Sequence, residues 1–284
     1  MKNCFIMVNS IAGKMGRLIA EKIKNEESKN REDCDLYSHS LVGDDVTEKC
    51  VSIWDDAWLI DLYQPKKHQV ALEEYLKYCA DVNAISIIID FTQPSAVNAM
   101  AERYCQLEIP FIMGTTGGDR EVLRQTVLNA AIPAIVAPNM AKHVVGLMAA
   151  IVYIKENFPG FLNGFKLIIE ESHQKTKTDP SGTAKAISLD FQGMGAEEIG
   201  FYLERDPVRQ TYYWGIPADY LDGHGHHKYA LVNEGLGIRL EIGHHINGRN
   251  PYVDGTLDAI SFLRKKIQVG ETGYFTMIDV LKGA

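Results

Sequence analysis

The chain has no run of about 18 apolar residues, the length a membrane-crossing helix requires, although 46% of its 284 residues are hydrophobic. It also lacks any basic tract, and a net charge of -8 argues against nucleic acid as a partner. Its 5 cysteines (Cys4, Cys34, Cys50, Cys79 and Cys105) are odd in number and form no Cys-x-x-Cys pair. They read as reduced, mostly buried thiols of a cytosolic protein. None lies beyond Cys105, which removes a cysteine nucleophile of the aspartate-semialdehyde dehydrogenase kind. No His-Glu-x-x-His helix is present to hold a hydrolytic zinc. Repeats and low-complexity segments are absent. The chain enters a strand almost at once (Cys4-Phe5-Ile6-Met7-Val8), which leaves no room for a signal or transit peptide. A cytoplasmic protein is the expectation.

What is present is an alternation. Strands are expected at Phe5–Asn9, Leu36–Val42, Lys49–Trp54, Ala57–Tyr63, Ala84–Phe91, Pro110–Met113 and Ala134–Ala137. Helices fall between them at Gly13–Asn25, from after Tyr63 to about Ala80, at Pro94–Gln106 and at Asp119–Asn129. The run from Ala84 to Phe91 is apolar throughout, as a strand covered on both faces should be. This order predicts an α/β protein with a Rossmann-like doubly wound parallel sheet and ligands at the carboxyl ends of its strands. The second half changes character. A helix at Met140–Glu156, a strand at Phe165–Ile169 and a helix at Gly182–Phe191 precede two antiparallel strands, His227–Val232 and Gly237–His245. A last helix spans Thr256–Lys266. The division expected is a dinucleotide domain of residues 1–139 plus 256–284 and an α+β substrate-binding and oligomerisation domain of residues 140–255.

The most informative stretch runs from Glu170 to Lys185. His173 and Lys177 stand four residues apart on the loop leaving the Phe165 strand, just before Pro180-Ser181-Gly182-Thr183. Ser181 or Asp179 can cap the helix that starts there, and a helix start offers free N–H groups to a carboxylate or phosphate. A proton donor, a fixed cation and an anion-binding turn therefore converge within a dozen residues. The segment resembles the signature of the dihydrodipicolinate reductases, Glu-x-His-His-x-x-Lys-x-Asp-Ala-Pro-Ser-Gly-Thr-Ala, at Glu171, His173, Lys177, Asp179, Ser181, Gly182, Thr183 and Ala184. Gln174 replaces the second histidine and one residue is missing between Asp179 and Ser181. Both departures match the plant-type branch of that family.

Other segments carry the same resemblance from residue 4 to Val280. In the turn Ser10-Ile11-Ala12-Gly13-Lys14-Met15-Gly16, Gly13 and Gly16 fall on the second and third glycines of the family's cofactor loop. Ser10 replaces the first and can still turn tightly if its φ stays negative. Asp90-Phe91-Thr92-Gln93-Pro94, Gly114-Thr115-Thr116-Gly117 and Ala137-Pro138-Asn139-Met140 match further turns, the last two on the nicotinamide side. The resemblance implies reduction of 4-hydroxy-tetrahydrodipicolinate with NADH or NADPH in the diaminopimelate route to lysine. The partner is then a small dicarboxylate, with His173 as proton donor at a pKa of about 6.5 and Lys177 as charge stabiliser or as a proton source in its own right. Gln174, Ser181, Gly182 and Thr183 would hold the substrate, while Arg249 would help close the cofactor site. An acidic residue in the turn Gly43-Asp44-Asp45 after the second strand, Asp44 foremost, would select the ribose 2′ position, so NADH should be accepted at least as well as NADPH. The family's habit of assembling through the second sheet implies a homotetramer or homodimer. A rival, zinc held by His224, His226, His227, His244 and His245, is set aside, because no His-Glu-x-x-His helix and no cysteine accompany them in this half; they read as surface or interface histidines, and no metal is expected.

Overall fold

A computed structural model describes residues 3–24, 34–53 and 58–283. The chain divides into two compact units, Met1–Met140 with Tyr252–Ala284, and Ala141–Pro251.

The first unit is built on a six-stranded parallel sheet. Its strands are β1 (Cys4–Asn9), β2 (Cys34–Leu36), β6 (Ile85–Asp90), β7 (Phe111–Met113), β8 (Pro133–Val136) and β13 (Gly273–Phe275), ordered β13-β8-β7-β6-β1-β2. Helices α1 (Lys14–Lys24), α2 (His68–Asp81), α3 (Val97–Gln106) and α4 (Arg120–Leu128) make the connections. Strand β6 lies centrally beside β1, and Ile87, Ile88 and Ile89 are fully buried, which is why its sequence shows no polar alternation. Ile19, Ala20 and Ile23 give α1 its buried stripe. Asp119 starts α4 by accepting from the amides of Glu121 and Val122.

The stretch expected as one strand from Leu36 to Val42 is two. Leu36 ends β2, while β3 (His39–Leu41) joins a separate three-stranded sheet, ordered β3-β5-β4, with β4 (Cys50–Ile53) and β5 (Trp58–Tyr63). The chain changes partner in between: the Tyr37 amide donates to Ile6, and the Ser38 carbonyl accepts from Asp61. Leu36 and Leu41 are both buried, so hydrophobicity could not reveal the break. The expected ends at Asn25, Trp54 and Ala57 lie outside the described residues.

The second unit has a four-stranded sheet ordered β10-β9-β11-β12, made from β9 (Lys166–His173), β10 (Glu197–Glu204), β11 (His224–Asn233) and β12 (Ile238–Asn247). Leu167, Ile169, Tyr229 and Leu231 pack with Ile151 of α5 (Lys142–Asn157) and with Ala184, Ile187 and Phe191 of α6 (Gly182–Gly193). Side chains alternate along a strand, so residues two apart share a face. Glu171 and His173 therefore continue the core-facing row of Leu167 and Ile169. On β11, His227 continues the row of Tyr229 and Leu231, and it sits directly opposite Glu171. Strand β10 and α7 (Pro207–Trp214) were not legible in the sequence. Most of β10 is exposed, and a register shift between Glu198 and Gly200 breaks its alternation. The helix expected from Thr256 begins earlier, as α8 (Asn250–Gln268), and a short α9 (Met277–Gly283) follows β13.

Candidate active site

Strand β9 runs further than hydrophobicity predicts, so His173 is its last residue instead of a loop residue. Its Nδ1 lies 3.0 Å from the His224 carbonyl, and its Nε2 lies 3.0 Å from His227 Nε2. A carbonyl only accepts, so the neutral ring carries its proton on Nδ1 and its lone pair on Nε2. His227 Nε2–H is then the donor to that lone pair, and the Tyr229 hydroxyl, 3.1 Å from His227 Nδ1, donates in turn. Burial, then Arg205 and Lys177, lower the His173 pKa to about 3, and burial foremost lowers His227 to about 2. The expected imidazole with a pKa near 6.5 is corrected accordingly: without substrate, His173 is neutral at physiological pH.

The half-buried Lys177 lies on the loop between β9 and α6. Arg205, which the sequence did not single out, holds that loop: its Nε donates to the Lys177 carbonyl at 2.7 Å. Its Nη2 meets Glu171 Oε1 at 2.5 Å, and Glu171 is fully buried. The other Glu171 oxygen accepts the Ser181 amide at 2.9 Å. Ser181 does occupy the N-cap of α6, but its side chain makes no capping bond, contrary to expectation. Gly182 and Thr183 form the first turn of α6, and Gln174 directly follows His173. Gln210 donates to the His173 carbonyl at 2.7 Å. His173, Gln174, Lys177, Ser181, Gly182 and Thr183 thus share one strand end and one helix start. Arg249 turns to its own unit's backbone, with Nη2 3.0 Å from the Asp222 carbonyl.

The histidines are not a surface cluster: His224, His226 and His227 are buried. Glu171, His173 and His227 offer ligand atoms within 4.8 Å of one another. They fit a resident dication poorly. Both Glu171 oxygens are engaged, and the Arg205 and Lys177 charges that oppose a proton on His173 oppose a metal ion more strongly.

In the first unit, the loops after β1, β6, β7 and β8 lie at the carboxyl ends of parallel strands. Ser10 adopts a φ of 62°, against the expectation of a negative value. It does so because its amide donates to Leu41 at 2.8 Å while its carbonyl accepts the Gly13 amide at 2.9 Å. A Cβ on Gly16 would stand 2.5 Å from the Ser10 oxygen and 2.9 Å from Ile11 Cα, so helix α1 can approach the turn only through glycine. The Ile11 amide faces Ser40 Oγ at 3.2 Å, and the Ile11 side chain is buried. Ala12, Gly13 and Lys14 are exposed, with Met15 half-buried. Gly114 abuts the Phe91 ring, buried Thr115 donates to the Thr92 carbonyl, and Thr116 is exposed. The Ala137 amide donates to Met113; beyond it Pro138 is exposed, Asn139 half-buried and Met140 buried. Beneath these loops Asp90, fully buried, accepts from Thr92 and from the Tyr104 hydroxyl at 2.6 Å. Asn9 Nδ2 donates to that same hydroxyl at 2.7 Å. A cavity of about 270 Å³ is lined by Ser10, Gly13, Asp45, His68 and Gln93 among others; Asp45 lines it and Asp44 does not.

Comparison with known proteins identifies the family. The family model described as "Dihydrodipicolinate reductase, N-terminus" matches residues 4–140, and its C-terminal counterpart matches residues 145–281. A rice protein named as a probable chloroplastic 4-hydroxy-tetrahydrodipicolinate reductase 1 is 40% identical over 98% of this chain and 78% of its own length. The chloroplastic reductase 1 of Arabidopsis thaliana is 37% identical over 98% of this chain and 77% of its own. Among solved structures, the dipicolinate-bound dihydrodipicolinate reductase of Paenisporosarcina superposes with a TM-score of 0.61 at 17% identity, covering 97% of this chain and 98% of that one, and so shares the fold. The plant relatives overturn the expectation of a cytoplasmic enzyme, since they are chloroplastic proteins. Among the described residues, no helix is long and apolar enough to cross a membrane. With both family models matched over nearly the whole chain, this protein belongs to the dihydrodipicolinate reductase family and is an NAD(P)H-dependent oxidoreductase.

Proposed function

We propose that His173 and Lys177 carry the proton and charge chemistry in reduction of 4-hydroxy-tetrahydrodipicolinate, the reaction for which the plant relatives are named. The observation that carries this reading is the shared placement of His173, Lys177 and the α6 start around the buried Glu171–Arg205 pair. A bound nicotinamide would supply hydride to the dehydrated ring, and the chain's own residues would then have to deliver a proton to the neighbouring ring carbon. Lys177 and the first turn of α6, at Gly182 and Thr183, face a carboxylate with an ammonium and a helix N-terminus. Gln174 adds an amide donor, and Ser181 fixes the start of that turn.

His173 acts as the acid only once the substrate is in place. Part of what depresses its pKa is the positive field of Arg205 and Lys177. Burial, the larger cause, remains in the complex, but two substrate carboxylates would offset that field and so favour the imidazolium there over the empty site. The role of proton donor is thereby tied to occupancy of the site.

Nucleotide binding belongs to the unit formed by Met1–Met140 with Tyr252–Ala284, through Ser10–Gly16, Gly114–Thr116 and Ala137–Met140; the substrate belongs to Ala141–Pro251. Asp45, which accepts from Gln93 Nε2 at 3.3 Å, is the better placed 2′-selector. Among the described residues no Arg or Lys lines its cavity, which favours NADH or near parity. Ile168, Glu170 and Lys228 line an open groove on the four-stranded sheet, and this face suits a homotetramer or homodimer.

The test is a coupled assay in which the preceding synthase makes substrate from pyruvate and aspartate semialdehyde, following NADH and NADPH in parallel. His173→Ala should lower kcat by about 10²–10⁴-fold with nucleotide affinity intact. Lys177→Ala should lower kcat by ~10²–10³-fold and also raise the substrate KM. Near-normal turnover of His173→Ala would remove it as the acid. An NADPH preference of about a hundredfold, ~2.7 kcal/mol, would overturn the cofactor assignment.

A further inference from the structure

The Glu171–Arg205 pair does more than neutralise itself. An ion pair kept only for stability can often be replaced by apolar side chains without loss. This guanidinium instead also donates to backbone carbonyls on two sides of the site. Its Nε donates to Lys177 at 2.7 Å, and its Nη1 to Glu204 at 2.9 Å and to Glu171 at 3.4 Å. Its Nη2 holds Glu171 Oε1, and Glu171 Oε2 holds the Ser181 amide. The loop from Gln174 to Pro180 is therefore tied at its middle by Arg205 and at its far end by Glu171. Its near end is fixed by β9, where Gln210 binds the His173 carbonyl. An ammonium could balance the Glu171 charge from one point. Only a planar fork reaches Lys177, Glu204 and Glu171 together.

We propose that Arg205 is a positioning residue of this reductase, acting through the backbone of Lys177 to set where that ammonium meets the substrate. This rests on the reading of Lys177 as a site residue. The geometry commits Arg205 to the fold: four of its N–H groups are bonded within it, and its side chain is 16% exposed. Displacing the Lys177 backbone by about 1 Å moves the charge off the developing anion, an error of a size that can cost about 10²-fold in rate.

The experiment is a double-mutant cycle between Arg205→Lys and Lys177→Ala, in the full-length enzyme with saturating NADH. Arg205→Lys keeps a cation beside buried Glu171 and should remain folded, as read by its melting temperature. Its kcat/KM should nevertheless fall by about 10–100-fold with NADH affinity unchanged. In the Lys177→Ala background the same change should cost less than about threefold, because the group it positions has gone. As a second route, Arg205→Met with Glu171→Met removes both charges together. It should show the same loss of kcat/KM and the same dependence on Lys177. Losses that multiply independently in the cycle, or normal kcat/KM in Arg205→Lys, would overturn the proposal. Normal activity in Lys177→Ala alone would instead sink the assignment of Lys177 on which it rests.

Discussion

Replacing Ser10 with glycine should stabilise the nucleotide unit. Ser10 holds a φ of 62°, in the left-handed region where a Cβ crowds the following carbonyl. For an L-residue that conformation costs roughly 1–2 kcal/mol. Its amide and carbonyl are fixed by Leu41 and Gly13, so the turn cannot relax to negative φ without breaking both bonds. The Ser10 hydroxyl makes no hydrogen bond among the described residues, so nothing is lost with it. Glycine returns the steric cost but loses about 0.5–1 kcal/mol more chain entropy on folding. The net gain is about 0.5–1 kcal/mol, a melting-temperature rise of about 1–4 °C for a domain of roughly 150–250 residues. Calorimetry on Ser10→Gly and Ser10→Ala separates this from simple removal of a hydroxyl, since alanine keeps the strain and should give no rise. Equal stabilisation by both variants, or a lower melting temperature for Ser10→Gly, would refute the argument.

Gly16→Ala should be the opposite case: its Cβ meets backbone at 2.5 Å and 2.9 Å, so it should cost about 1–3 kcal/mol and weaken NADH binding by titration calorimetry. An alanine variant with wild-type affinity and stability would show that α1 is free to shift. The second unit should be acid-labile through its histidines. Burial lowers His173 to about 3, His226 and His244 to about 4 and His227 to about 2. The unfolded chain binds those protons near pH 6.5 and the folded one does not, so stability is level above that pH and falls as pH drops below it. The urea midpoint should therefore decline steadily from about pH 6.5 to 4, and a flat profile would contradict the buried neutral imidazoles.

The sequence displayed most of this fold because its signals are local. The Ile85–Asp90 run and the α1 stripe of Ile19, Ala20 and Ile23 each record their own burial. What failed were elements whose identity depends on distant partners. Between Leu36 and Leu41 the chain leaves one sheet for another without any change in hydrophobicity, since only the identity of its neighbours changes, from Ile6 to Asp61. Strand β10 lies at a sheet edge with a register shift, so it has no clean inward row to print on its sequence.

The site divides along the same line. The candidate residues His173, Lys177, Ser181, Gly182 and Thr183 lie on one strand end, the loop after it and the helix start that follows, and their spacing marked them as candidates. Arg205 and His227 reach the same place from 34 and 56 positions after Glu171 in the numbering, brought there by pairing of β9 with β10 and β11. One signal for His227 was available: once β9 and β11 are aligned, a histidine two residues before Tyr229 must share its face and oppose Glu171. No comparable pattern exists for Arg205, which follows the last residue of β10 and whose donors go mainly to carbonyls. The protonation state was further out of reach. The low His173 pKa requires burial, an arginine after β10 and a lysine on the preceding loop to act on one ring. A motif specifies that an imidazole is present, but only the burial and the assembled charges around it decide its protonation state.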